Sequence, residues 1–224
     1  MSVSPAEAPP PDNVASRRIA GTLRAAILDG SYQPGERIRQ EEVAARSGAS
    51  RIPVREALRM LAAEGLVTLV ANTGAWVTKL SLQECVETYL IRERLEPLLL
   101  RRSLPNLDDA AVGRLRLLIA SMEAPGGGVT EFLRADREFH LSSYAGAPPG
   151  ETARIIGRMW NTTQHYRREF SKLAGGAGMG VTHLEHRLLL DCIERRDADD
   201  AERVLVMHIR RTRLALEQHQ EIFG

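Results

Sequence analysis

Aromatic residues are scarce in this chain. They make up 4% of its 224 residues, so its cores must be built mainly from Leu, Val, Ile and Ala. Cysteine is nearly absent: Cys85 and Cys192 are the only two, far apart and without metal-type spacing. That excludes a cysteine-based metal motif and points to a reducing cytosol. No stretch approaches the ~20 apolar residues needed to span a bilayer. The opening MSVSPAEAPPPDN has neither a basic start nor an apolar run, so it does not read as a secretory signal. Its Pro, Ala and Ser content predicts a disordered tail over residues 1–13. The expectation is a cytoplasmic protein with no membrane partner.

Strong net charge is also missing. The chain carries +1 overall, with 43% hydrophobic and 26% charged residues, an ordinary globular composition. The charge is unevenly placed. Residues 14–80 hold ten Arg or Lys against six acids, a net +4. The tail is −2 and residues 81–224 come to −1. A basic module on a near-neutral remainder suggests a polyanionic partner.

Residues 14–80 contain both helical and strand patterns. Ile19, Leu23, Ala26 and Ile27 have helical spacing, and Gly30 follows. SYQPGERI reads as a turn and a short extended piece, QEEVAARSG as a short helix closed by Gly48. Ser50 then stands where it can cap RIPVREALRMLAAEG, with Pro53 in the first turn. LVTLVANTGAWVTKL reads as two strands around Asn72-Thr73-Gly74. Helix, helix, short turn, helix and hairpin describe a winged helix-turn-helix whose third helix reads the major groove. Val54, Leu58 and Leu61 face its core. Arg51, Arg55 and Arg59 recur every four residues on another side and suit phosphate contacts or bidentate guanine recognition. The wing tip is small enough to approach a backbone or minor groove.

Residues 81–224 show only amphipathic helices separated by breakers. The expected class is therefore mainly α: a winged helix-turn-helix over 14–80 and an all-helical domain over 81–224. In this second part three helices carry an anomaly. Val129, Phe132 and Phe139 mark the inward side of one, yet Asp136 and His140 share that side, one turn apart. His186 lies with Leu189, Leu190 and Ile193. His208 lies with Ala201, Val204, Leu205 and Ala215. A lone core histidine is usually satisfied by a neighbouring carbonyl or carboxylate. Four polar groups on inward faces are different, because each costs about 1–3 kcal/mol when buried unpaired. One shared cation satisfies all four, and three imidazoles with one carboxylate suit Zn²⁺ or Ni²⁺. Mn²⁺ and Fe²⁺ are tolerated by the same ligands.

QPGERIRQEEVAARSGASRIPVREALRMLAAEGLVTLVANTGAWV resembles the DNA-binding domain of the GntR family of bacterial transcription regulators. The matching residues are Pro34-Gly35, Val43-Ala44, Ser50-Arg51, Pro53 to Leu58, Leu61, Glu64 to Leu66 and Gly74. The resemblance implies that Arg51 and Arg55 reach base edges or phosphates and that Gly74 lets the wing lie close to the duplex; Ser50, Arg59 and Thr73 are the further residues expected at the DNA. Glu41 departs from the pattern, since some members carry a DNA-touching arginine there. The helical remainder resembles the FadR-like branch with its FCD ligand-binding domain. Many such domains bind metal through an Asp-x-x-x-His pair and two later histidines. DREFH supplies Asp136 and His140, LEHRLLL supplies His186 and VMHIRRT supplies His208. His183 competes with His186, which is preferred for following Glu185 and for its more apolar face. YLIRERLEPL resembles the family's LRxxLE helix and so implies Arg92 in an anion pocket beside the metal. Trp160, Asn161 and Arg167 lie on the helix expected to form another wall.

The resulting expectation is a ligand-responsive regulator, a repressor, that binds a palindromic operator as a homodimer. A small carboxylate would bind at or beside the divalent metal. Two other readings use the same residues. A constitutive DNA binder could hold a purely structural metal, which titration of acids in an operator assay would reveal. A metal-dependent enzyme is the remote alternative; it lacks a nucleophile motif and an obvious general base, and turnover of carboxylates would revive it.

Overall fold

The first helix starts earlier than its apolar spacing indicates. The computed structural model describes residues 11–223, and α1 runs Pro11–Leu28. Residues 11–13, which composition assigns to the tail, therefore belong to a helix. Proline suits a first-turn position because no intrahelical N–H bond is lost there. The other tail residues, 1–10, lie outside the described residues.

The chain divides into two compact units, Met1–Lys79 and Leu80–Gly224. In the first unit α1 is followed by β1 (Arg37–Ile38), α2 (Gln40–Ser47), α3 (Arg51–Ala63), β2 (Val67–Val70) and β3 (Gly74–Val77). The sheet order is β1-β3-β2, all antiparallel, with Arg37 opposite Trp76 and Val70 opposite Gly74. Ile19, Ala20 and Leu23 of α1 bury against Val54, Ala57, Leu58 and Leu61 of α3 in one apolar cluster. Arg24 clamps Glu64 through two 2.6 Å hydrogen bonds and ties α1 to the end of α3.

Ser50 occupies the N-cap of α3, but its side chain makes no capping hydrogen bond. A capping oxygen accepts from the second or third helical N–H; the third residue, Pro53, has none, which leaves only the Ile52 N–H for it to serve. The Ser50 hydroxyl is left exposed.

In the second unit α4 (Leu82–Ser103) opens with a capping box, Ser81 and Glu84 bonding each other's backbone N–H. It is followed by α5 (Asp109–Met122), α6 (Val129–Ser143), α7 (Glu151–Glu194) and α8 (Ala198–Gln218). Pro97 sits inside α4 without ending it. The glycine-rich segment that reads as a break between two helices is instead absorbed into α7, which kinks at Gly175 (φ 56°, ψ −170°). Only glycine adopts that backbone conformation readily. The kink lets one element present two differently directed halves to the bundle.

The loop between α6 and α7 is seated against the end of α4. Gly146 N–H donates to Ser103 Oγ at 2.9 Å, and Asn106 Nδ2 donates to the Gly146 carbonyl at 2.9 Å. A Cβ at Gly146 would meet the Ser103 carbonyl oxygen at 2.4 Å. Gly146→Ala should therefore destabilise the protein by about 1–3 kcal/mol, read from chemical denaturation. An unchanged midpoint would show that this loop is not wedged.

Candidate nucleic-acid interface and metal centre

In the first unit, one end of α3 and the wing line a single groove of about 610 Å³. Arg51, Arg55 and Arg59 enter it from α3, Thr73 and Gly74 from the wing, and Arg37 from β1. The arginines are free to meet a partner to different degrees. Arg51 is 72% exposed and lies 3.5 Å from Glu41. Arg59 is held by Glu56 at 2.5 Å. Arg55 is exposed, and no acid among the described residues is close enough to pair with it. Ile52, 65% exposed, is the most exposed of the large apolar residues that line the groove. Ser50 is exposed at the same helix end but does not line it.

Arg37 is a residue that the helical pattern does not single out. Its guanidinium donates to the Thr73 carbonyl at 2.9 Å and lies over the Trp76 ring at 5.6 Å. It braces the wing at the turn where Asn72 (φ 61°) and Gly74 (φ 131°) take positive φ. A β-strand residue directly opposite a wing tryptophan is the signal that could have found it.

The second unit brings the anomalous polar groups together. One donor atom each from Asp136, His140, His186 and His208 lies within 4.8 Å of the others. His186 Nε2 is 3.2 Å from His140 Nε2 and 3.1 Å from Asp136 Oδ1. His140 Nε2 is 3.7 Å from the same oxygen. Asp136, His140 and His186 are at most 3% exposed. The α6 stripe that faces inward is Leu133, Asp136, Phe139 and His140, whereas Val129 and Phe132 are only half-buried. His183 stays outside the cluster, edge-on to Phe132.

Burial sets the protonation states. It drives His140 well below the usual imidazole range, helped by His208 and His186. It lowers His186 to about 3 and His208 to about 4, in the latter case against the pull of Glu185. All three rings are therefore neutral at pH 7, each with a nitrogen lone pair to offer. His208 Nδ1 lies 2.7 Å from Glu185 Oε2. A carboxylate only accepts, so this nitrogen carries the proton and Nε2 carries the lone pair. Burial would raise the Glu185 carboxyl, but its hydrogen bonds with His208 and Arg211 outweigh that and hold it at about 2. Neutral imidazoles and one carboxylate suit a divalent metal. His208 is anchored through its far nitrogen on Glu185, as such ligands usually are, whereas His186 Nδ1 has no hydrogen-bond partner among the described residues. The donor set fits such an ion: three facing nitrogens and an oxygen, buried and close, need a positive centre between them.

Beside this cluster is a cavity of about 30 Å³ lined by Arg92, Asp136, Trp160, Arg167, Thr182 and His208, among others. Arg92 and Arg167 lie over the Trp160 ring at 4.4 and 4.1 Å. Arg92 is clamped to Glu96 at 2.5 Å, and Arg167 pairs with Asp136 Oδ2. Burial lowers Arg167 to about 9, with neighbouring Arg92 contributing, so it remains charged at neutral pH. Asp136 is thus shared between Arg167 and the imidazole cluster. Asn161, assigned to this wall from its helix alone, does not line the cavity. Successive residues on a helix rotate by about 100°, which turns Asn161 away from Trp160. It accepts instead from Arg137 at 2.6 Å.

Residues 15–77 match the family described as bacterial regulatory proteins, gntR family, and residues 87–211 match the FCD domain. The Nta operon transcriptional regulator of Aminobacter aminovorans is 26% identical over 80% of this chain and 84% of its own. A probable D-xylose utilization operon transcriptional repressor of Paenarthrobacter nicotinovorans is 31% identical over 82% and 80%. The solved structure of E. coli McbR/YncC shares the fold, with a TM-score of 0.80 at 20% identity over 92% of this chain and 98% of that one.

Proposed function

Since the chain belongs to the gntR family of bacterial regulatory proteins with an FCD domain, and is a DNA-binding transcription regulator rather than an enzyme, we propose that it is a metal-dependent, carboxylate-responsive repressor. It acts in the cytoplasm as a homodimer on a palindromic operator, whose two half-sites match the protein's two-fold axis. Arg51 and Arg55 read base edges or phosphates from α3. Ser50, Arg59, Thr73 and Gly74 lie against the backbone. Among the described residues no helix is long and apolar enough to cross a membrane.

Asp136, His140, His186 and His208 would hold the metal, zinc or nickel. When bound, the ion supplies a Lewis-acidic positive centre beside two buried guanidinium groups. Arg92 and Arg167, stacked on Trp160, provide the charge-assisted donors that orient a carboxylate. The observation that carries this reading is the buried convergence of the four donors next to those arginines. The acid changes operator affinity only to the extent that it binds the DNA-competent and released states unequally.

The test is operator binding by fluorescence anisotropy, on a duplex obtained by in vitro selection, with a panel of small carboxylates. At least one acid should weaken binding tenfold or more in zinc-loaded protein and have no effect after chelation. The cavity's small volume favours a second reading, a structural metal whose remaining position is taken by water. No response to any acid at full zinc occupancy would establish it.

A further inference from the structure

His140 is connected, through groups buried to 5% exposure or less, to an arginine on another helix. Arg92 Nε donates to Glu96 Oε1 at 2.5 Å. Tyr144 O–H donates to the other oxygen of the same carboxylate, Oε2, at 2.6 Å. Tyr144 Oη in turn lies 3.5 Å from His140 Nδ1. Glu96 and His140 are 0% and 1% exposed, Arg92 3% and Tyr144 5%. None of the four is needed to explain a folded apolar core, and each is costly to bury unless every polar atom is satisfied.

The chain of bonds has only one consistent polarity. The Glu96 carboxylate can only accept, so it draws the Tyr144 proton toward itself. With its proton spent on Glu96, Tyr144 has lone pairs left to offer. It therefore accepts from His140, which must carry its hydrogen on Nδ1. The Nε2 lone pair is then directed at Asp136 and His186.

We infer that Glu96 and Tyr144 are positioning residues of the metal centre, holding His140 in the Nδ1–H tautomer through a relay anchored on Arg92. The inference rests on the reading of the four donors as a metal site. It goes beyond that reading in assigning the outer residues that prepare one ligand. It also places the guanidinium expected to receive the carboxylate three hydrogen bonds from a metal ligand.

The test uses full-length protein and zinc alone. Zinc affinity is measured by competition with a chromophoric chelator for wild type, Tyr144→Phe, Glu96→Gln and the double variant. Removing an outer partner of a metal-ligating histidine typically costs about 10–100-fold in metal affinity, and Tyr144→Phe should fall in that range. Glutamine keeps one acceptor oxygen and puts an NH₂ donor in place of the other, so Glu96→Gln cannot accept from both Arg92 and Tyr144, and it should also weaken zinc. The double variant should bind zinc no more weakly than Tyr144→Phe alone, because both changes cut one chain.

A second readout needs no metal. Ring ¹⁵N shifts of His140 should report Nδ1–H in the wild type and a mixture of tautomers in Tyr144→Phe. That measurement holds even if Glu96→Gln fails to fold. Unchanged zinc affinity in Tyr144→Phe, additive losses in the double variant, or an Nε2–H tautomer in the wild type would each overturn the inference. If wild type binds no zinc while His140 shows Nδ1–H, the metal reading fails and the relay stands.

Discussion

Asp136→Ala should leave the protein unable to retain zinc and markedly less stable even without it. The side chain serves two neighbours at once. Oδ1 faces the Nε2 atoms of His186 and His140, at 3.1 and 3.7 Å, and Oδ2 pairs with Arg167. Removing it takes the only anionic donor from the cluster. It also strands the Arg167 guanidinium, 7% exposed, over the Trp160 ring without its carboxylate partner. Removing one partner of a buried ion pair costs about 3–5 kcal/mol, because the other charge stays buried and uncompensated. Denaturant unfolding of metal-free wild type and variant reads that term directly. Elemental analysis of zinc-loaded, dialysed protein reads the other. Full zinc content in Asp136→Ala would remove the carboxylate from the ligand set. Undiminished apo stability would show that Arg167 does not depend on it.

Arg55→Ala should weaken specific operator binding by about 1–3 kcal/mol if Arg55 reads a base edge. Arg55 is the α3 arginine with the clearest path to DNA. It is exposed and lines the groove shared with the wing, while Arg59 is engaged by Glu56 at 2.5 Å and Arg51 lies 3.5 Å from Glu41. Arg59→Ala should accordingly cost less. Salt dependence distinguishes two ways in which Arg55 can touch DNA. If it holds a phosphate, the substitution lowers the slope of log affinity against log salt by about one and weakens all sequences alike. If it reads a base, the substitution relaxes specificity at one position of each half-site. Operator affinity unchanged at fixed salt would remove Arg55 from the interface.

The residues behind these predictions differ widely in how visible they are in the sequence. The α3 arginines and the core side of Val54, Leu58 and Leu61 follow from helical periodicity, because a single helix face is a local property. The inward positions of Asp136, His140, His186 and His208 follow the same way. That three helices bring those positions to one point is not local, and only the resemblance to a known domain pointed there. The groups around the cluster were less visible. Glu185 precedes the ligand His186, yet it serves His208 on a different helix. Tyr144 lies one turn beyond His140, so its face was readable, but its partner Glu96 comes from α4. Asn161 shows the converse: sharing a helix with Trp160 does not mean sharing its face.

Local chemistry also overrode simple signals. Ser50 has the right type and place for an N-cap, yet it makes no side-chain capping bond, and Pro53 removes one of the two N–H groups it could have served. The glycines after Ala174 suggested a loop, yet one backbone twist at Gly175 suffices to redirect α7. Composition alone marked residues 11–13 as tail, although a proline at the head of α1 is compatible with a helix start.

The central claim is that Asp136, His140, His186 and His208 hold one divalent ion. Anomalous diffraction from crystals grown with zinc, at the zinc absorption edge, tests it most directly. One strong peak per chain is expected, about 2.0–2.2 Å from an imidazole nitrogen of each of the three histidines and from a carboxylate oxygen of Asp136. No peak at this cluster, or a peak coordinated by His183 in place of His186, would contradict it.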